Sequence, residues 1–399
     1  MARTIDLAPS GPLALPVTGI GEGWEPTVLM TLTLVLLSMG LVTLYSATNI
    51  LAQRQDLPDY YYVVRQAIGA GVGLTALGLC AWLPHHVWKH LAWPMIAVVS
   101  ILLVLVVLPN TEAIAPRING ARRWIDLGGV TIQPSELAKV AVIVWTAALA
   151  VKKQEYFTSL RRGLGPFLLV WGAVVIAIAV EPDLSTAVLV GLLGCTVVFA
   201  AGGRVAHFVL LGFLATPILY KQLDAPFRAE RVKAFIQAFL DPSVGPVGAG
   251  YQVYQSLLAF GSGGIVGRGF GQGRQKLGFL PEAHTDFIFA MIGEEWGLVG
   301  VSVIVLLYML LILIGFRVAA RAPDLFGKLL AVGITSMVAM QTILHMSVGL
   351  GLFLPTGLPL PLMSYGRSSL LVTMASLGIL ISIARASGRP SHVGRRARA

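Results

Sequence analysis

The chain has 399 residues, 56% hydrophobic and only 12% charged, with a mean hydropathy of +0.79 and a formal net charge of +10. So few charges cannot cover a soluble surface, and the many long apolar runs mark an all-α polytopic membrane protein. The two cysteines, Cys80 and Cys195, both fall inside apolar runs and suggest neither a disulfide framework nor a metal–thiolate site.

Residues 1–26 are rich in Pro and Gly and lack the basic, apolar and small-residue segments of a secretory signal. They read as a retained, flexible cytoplasmic tail ahead of a transmembrane domain over 27–384. A bilayer core needs about 20 apolar residues per helix, which gives about ten spans. They lie near Thr27–Tyr45, Val63–Trp82, Leu91–Leu108, Ser135–Val151, Leu164–Val180, Leu184–Ala201, Val205–Tyr220, Thr285–Phe316, Leu329–Phe353 and Ser368–Ile383.

Lys152, Lys153, Arg161 and Arg162 follow the fourth span, Arg317, Arg321 and Lys328 follow the eighth, and Arg385, Arg389, Arg395, Arg396 and Arg398 fill a tail over 385–399. The excess of basic residues assigns these loops and both termini to the cytoplasm of a plasma membrane. The other side then also carries Arg117, Arg122 and Arg123 in a short loop. Lys221, Arg228, Arg231, Lys233, Arg268, Arg274 and Lys276 lie in a long external loop, about 221–284, between spans seven and eight. An external cationic surface attracts an anionic ligand such as a lipid phosphate. Long loops also translocate whatever their charge, so both readings stay open there, whereas the short loop of Arg122 and Arg123 favours function.

The fourth span opens QPSELAK, where Glu136 and Lys139 share a face as a structural ion pair or as the wall of a polar cavity. In EPDLST, Asp183 reads as a helix cap. The stretch GSGGIVGRGFGQGRQ over 261–275 can approach a pyrophosphate through backbone N–H groups, with Arg268 and Arg274 supplying charge. It lacks the Gly-Lys-Ser/Thr ending of a nucleotide loop. In LPEAHTDFIFAMIGEEWG, Thr285 reads as the N-cap of the eighth span and Asp286 as a first-turn residue, serving either the helix dipole or catalysis. Glu294 lies some 80° around the helix from Asp286 and could line the same cavity, while Glu295 faces a neighbouring helix. His284 and His345 have no ligand spacing for zinc. The two prolines of GLPLPLMSYGRSS, residues 357–369, preclude a regular helix, so this is a broken segment lining protein or water. No internal repeat supports an inverted-repeat transporter.

Taken in order, NGARRWI, QPSELAK, EPDLSTA, FLDP, GAGYQVYQSLLAFGSGG, LPEAHTDFIFAMIGEE and GLPLPLMSYG resemble the SEDS family (shape, elongation, division and sporulation) over nearly the whole chain. The form PEAHTDF, preceded by GRQKLGFLP, resembles the division branch, FtsW, more than the elongation branch, RodA, which more often has Arg where Ala283 stands. The resemblance implies a peptidoglycan glycosyltransferase that polymerises lipid II on the outer face of the bacterial plasma membrane, at the division septum. It implies a class B penicillin-binding protein and other divisome proteins as partners, with lipid II, undecaprenyl pyrophosphate and membrane lipids as ligands and no nucleic acid. By position, Asp286 takes the role of the general base, Glu136 and Lys139 border the substrate cavity, and Arg122 and Arg123 meet the pyrophosphates. His284, Arg268, Arg274, Lys276, Glu294 and Ser364 complete the expected substrate-binding set. A divalent cation, Mg2+ or Mn2+, carried by the pyrophosphate is the one cofactor implied, with no organic group.

Three positions depart from the family pattern: Ser185 for Gly, His345 for Asn and Arg367 for Gly. None touches the motif positions of Asp286, Glu136 or Lys139. The rival readings are a lipid II flippase, an elongation-type polymerase and a non-catalytic scaffold.

Overall fold

The computed structural model describes residues 23–108, 111–112, 114–117, 121–126, 128, 131–157, 159–223, 229, 232–233, 236 and 249–387. The two tails beyond these, the FLDP segment, Arg228 and Arg231 lie outside the described residues.

A lipid core offers no partner to backbone N–H and C=O groups, so each apolar run closes its own hydrogen bonds as a helix. The helices are α1 (Glu25–Arg54), α2 (Tyr61–Trp82), α3 (Val87–Val107), α4 (Pro134–Lys153), α5 (Gly165–Val180), α6 (Leu184–Ala200), α7 (Val205–Leu223), α8 (Ala249–Gly263), α9 (Ile288–Arg321), α10 (Leu325–Gly349) and α11 (Arg367–Ser387). Each expected span coincides with a helix, and α8 is an additional helix inside the long loop. Eight of the helices are long and apolar enough to cross a membrane, and Leu184–Ala200 and Val205–Pro217 are shorter apolar helices. A two-residue antiparallel pair, β1 (Ile125–Asp126) with β2 (Thr131–Ile132), precedes α4 and has no counterpart in the sequence reading.

The core sits along α4, α10 and α11, the most deeply buried of the spans, with α2, α3, α5 and α9 turning more of their length outward. Small residues allow the closest approaches, as in membrane helix pairs generally. A Cβ on Gly378 of α11 would stand 2.8 Å from Cys80 Cβ of α2, and one on Gly40 of α1 would stand 2.7 Å from Met363 Cα. Residues 350–366 contain no helix, in line with Pro359 and Pro361, and the buried Tyr308 hydroxyl of α9 donates to the Pro361 carbonyl.

Hydrogen bonds gather the loops that lead into α4, α6, α9 and α11 at one end of the bundle: Gln133 to Ser368, Gln133 to Asp183 and Tyr365 to His284. At the opposite end Glu25 pairs with Arg317 at 3.1 Å and Arg321 at 2.8 Å, and His85 meets Asp324 at 2.9 Å.

Candidate active site at the loop-rich end

The helix that follows the HTDF motif starts later than its sequence suggests. Phe287 occupies the N-cap position of α9 without a side-chain bond, and the Thr285 hydroxyl donates to the Glu282 carbonyl at 3.2 Å. Thr285 is therefore not the cap and Asp286 is not in the first turn. Instead Asp286 lies in a turn ahead of the helix, its N–H donating to the Glu282 carbonyl at 2.9 Å. The side chain is half-buried, and a Cβ on Gly357 of the broken segment would lie 3.9 Å from its Oδ2. Gly357 has φ of +71°, a left-handed conformation that glycine adopts without a Cβ penalty.

From Asp286 a polar seam crosses to α4. The Tyr365 N–H donates to the His284 carbonyl at 3.0 Å, and the His284 ring lies 5.6 Å from the Tyr365 ring and 5.7 Å from that of Tyr62. Burial pushes the His284 pKa below its usual value, against the opposing pull of Glu282. Gln66, almost fully buried on α2, donates to the Ser364 carbonyl at 3.1 Å and accepts from the Gly366 N–H at 3.3 Å. Arg367 then reaches Thr131 Oγ1 at 3.4 Å, and Ser368 binds both the Thr131 carbonyl and the Gln133 N–H. The seam ends at the first turn of α4, where Lys139 Nζ lies 2.7 Å from Glu136 Oε2 with both side chains shielded from solvent. Pairing is what makes two charges tolerable at that depth.

Several residues expected to bind substrate are engaged by the protein itself. Glu294 accepts from the Arg274 N–H at 2.8 Å and the Gln275 N–H at 3.1 Å, so it anchors the glycine-rich loop instead of lining a cavity with Asp286. Glu295 does the same, accepting from Ser46 Oγ at 2.5 Å, the Gly271 N–H at 3.1 Å and the Gly273 N–H at 3.3 Å. The loop amides expected to cradle a pyrophosphate thus already face two internal carboxylates. Lys276 is buried, 3.4 Å from Glu295 and 2.5 Å from the Gly271 carbonyl, as an internal counter-ion. Gly297, with φ of +65°, interrupts α9 just beyond these glutamates and lets residues 264–267 pack against the break, where a Cβ would meet Ile265 O at 2.6 Å.

Arg122 bonds Glu112 and the Leu108 carbonyl, while Arg123 donates to the Glu181 carbonyl at 3.1 Å and the Pro182 carbonyl at 2.7 Å. Both arginines therefore brace loops, with Arg123 tying β1 to the α5–α6 turn. The Ser364 hydroxyl accepts from the Leu360 N–H at 2.9 Å inside the broken segment. Arg268 and Arg274 keep exposed side chains, with Arg268 Nε also donating to the Ser262 carbonyl at 3.2 Å. Asp183 caps α6 through the Thr186 N–H at 3.2 Å, as expected.

Sequence reasoning gave no role to Gln66, Gln133 or Glu181. A buried amide or carboxylate within or beside an apolar helix is the signal that marks all three. Glu181 is 2% exposed, and neither carboxylate oxygen has a hydrogen-bond partner among the described residues. Burial, reinforced by Asp183 and only partly offset by Arg123, pushes its pKa up to about 8. His345 Nδ1–H donates to the Leu358 carbonyl at 2.9 Å, so this departure from the family pattern serves to hold the broken segment.

Helical spans packed around a buried ion pair, with a polar seam closed by non-helical backbone at one end, define a polytopic membrane protein with a site at its loop-rich end. The family model described as "Cell cycle protein", which groups FtsW, RodA and SpoVE, matches residues 27–389, and the chain belongs to that family. It is 40% identical to stage V sporulation protein E of Bacillus subtilis over 363 residues, covering 90% of this chain and 97% of that one. It is 38% identical to the probable peptidoglycan glycosyltransferase FtsW of Geobacter sulfurreducens over 365 residues, covering 91% and 96%. Among solved structures, a chain described under the structural coordination of polymerization and crosslinking by a peptidoglycan synthase complex aligns with a TM-score of 0.74 at 29% identity, covering 90% and 97%.

Proposed function

We propose that this membrane glycosyltransferase polymerises lipid II into β-1,4 glycan strands with Asp286 as general base, on the outer face of the plasma membrane during septal wall synthesis. The enzyme class, peptidoglycan glycosyltransferase, follows from the family and from relatives that carry that name. The observation that supports the mechanism is the placement of Asp286. It stands outside the helix, half-buried, beside Gly357 and at one end of a seam whose other end is the Glu136–Lys139 pair. A carboxylate there can accept the proton of the acceptor sugar's 4-hydroxyl as that oxygen attacks the anomeric carbon of the lipid-linked donor. The new bond forms as the bond to the pyrophosphate breaks, with inversion. The pyrophosphate leaves without needing a second carboxylate as acid, unlike the glycosidase pair. Arg268 and Arg274, exposed at this end, supply positive charge toward it.

Glu181, held mostly protonated at neutral pH by burial, does not fit as a charged ligand, so the divalent cation implied by the family resemblance would be carried by the pyrophosphate oxygens. When bound, it offsets negative charge on the leaving pyrophosphate.

The proposed orientation is supported by the basic residues at the other end of the bundle, Lys152, Lys153, Arg161, Arg162, Arg317, Arg321, Lys328 and Arg385, which favour that end and both termini on the cytoplasmic side. A class B penicillin-binding protein is the expected partner, in keeping with the likeness to a synthase complex that couples polymerization to crosslinking. Fluorescent lipid II in proteoliposomes, with that partner present, separates polymerisation from transport. Polymer formed without transbilayer movement supports the reading; lipid movement without polymer makes the protein a flippase.

A further inference from the structure

We propose that the groove where the ends of α1, α2 and α11 meet, at the end of the bundle opposite the candidate site, binds one anionic phospholipid, with the phosphate on Arg385 and an acyl chain running inward along α1 and α2. Nothing in this site depends on the glycosyltransferase reading.

The groove has a volume of about 450 Å3 and changes character along its length. Its mouth lies at three helix ends, with Pro26 and Thr27 in the first turn of α1, Ala81 in the last turn of α2 and Arg385 in the last turn of α11. One turn further in, the walls are Met30, Gly78 and Ile381, which carry no charge. Gly78 opens the α2 side: a Cβ there would meet no heavy atom within 4 Å. Beyond the groove the same two helices present Leu34 and Leu74, each one turn deeper than Met30 and Gly78, and both are exposed. Residues four apart share a helix face, so an apolar track leads from a polar mouth toward the middle of the spans. A polar end with a long apolar path fits an amphiphile whose headgroup stays at the helix ends. Trp82, the last residue of α2, is 76% exposed beside that mouth, as suits an amphipathic ring at headgroup level.

The charge at the mouth selects the headgroup. Arg385 is exposed, and Nη1 makes only a long bond to the Ala81 carbonyl, at 3.5 Å, which leaves the rest of the guanidinium free to meet a ligand. Among the described residues no carboxylate pairs with it: at this end Glu25 is taken by Arg317 and Arg321, and Asp324 by His85. A planar guanidinium matches two oxygens of a phosphate at once. A zwitterionic headgroup sets its own cation against that phosphate and gains less from Arg385, so the anionic lipid is preferred.

The test is native mass spectrometry of the purified full-length protein in detergent, titrated with phosphatidylglycerol or with phosphatidylcholine of the same acyl chains. Wild type should bind its first phosphatidylglycerol about fivefold more tightly than phosphatidylcholine, the ratio given by about 1 kcal/mol for one Arg at a lipid surface. Arg385→Gln should bind the two lipids equally. Gly78→Leu, whose side chain enters the open space of the groove, should weaken both by at least about fivefold, whereas Gly172→Leu, equally open on α5, should match wild type. A wild type without the preference overturns the proposal, as does a preference that survives Arg385→Gln or a phosphatidylglycerol affinity that Gly78→Leu leaves unchanged. A wild type that forms dimers in place of holding lipid, with the dimers lost in Gly78→Leu, would give the groove to a second copy of the chain and overturn it equally.

Discussion

Replacing Lys139 by Met should destabilise the protein far more than replacing Lys139 and Glu136 together. The two charges are 2.7 Å apart with side chains 1% and 4% exposed. At an effective dielectric of about 20 their attraction is about 6 kcal/mol, offset by a desolvation penalty of several kcal/mol per ion. The pair therefore adds little net stability over an apolar substitute, but breaking it strands a charge in the core. Lys139→Met or Glu136→Gln alone should cost about 3–5 kcal/mol, and the double variant less than about 2 kcal/mol, giving a coupling energy of at least about 4 kcal/mol. Equilibrium unfolding in mixed micelles of rising SDS fraction, run on all four proteins, closes the cycle. Single losses below about 1 kcal/mol with no coupling would mean a hydrated pair of the surface type instead of a buried one.

Glu295→Ala removes the acceptor for Ser46, Gly271 and Gly273 and leaves Lys276 buried without its counter-charge. The expected loss is about 3–5 kcal/mol, with faster proteolysis within residues 264–277 as the local readout. Gly40→Ala brings a methyl to 2.7 Å from the Met363 backbone, where nothing can rotate away, so unfolding should show a loss of about 1–3 kcal/mol. At the end of the bundle opposite the site, burial raises the Asp324 pKa, but the Gly327 N–H, His85 and Lys89 outweigh it and hold the carboxyl below its usual 3.8. A depressed folded-state pKa stabilises above the unfolded value and is lost as pH falls through the folded one. Thermal melts of wild type minus Asp324→Ala should therefore show a difference that is full above about pH 5 and fades toward pH 3, with a cap contribution of about 1 kcal/mol.

The spans were legible because a bilayer imposes a length of about 20 apolar residues, a constraint written locally in the chain. Their ends were less so. Thr285 carries a capping pattern, yet its hydroxyl turns back to Glu282 and the helix waits until Ile288. The site was legible in its residue types: Glu136 with Lys139 at helical spacing forms the expected pair, and Pro359 with Pro361 breaks the chain where expected. What helical-wheel reasoning could not give was the destination of Glu294 and Glu295. Their partners are loop amides about 20 residues earlier in the chain, brought back by the break at Gly297. Arg122 and Arg123 likewise showed their charge but not their partners, because Glu112 and the carbonyls of Glu181 and Pro182 become neighbours only in the folded bundle.

We propose that Asp286 takes a proton during glycan polymerisation. The direct measurement is the single-turnover rate of polymer formation from purified lipid II by wild type and Asp286→Asn, each with its class B partner, with complex assembly checked by co-purification. Loss of a general base predicts a fall of about 10²–10⁴-fold with assembly and lipid II binding unchanged. A variant that polymerises at the wild-type rate would rule out Asp286 as the base.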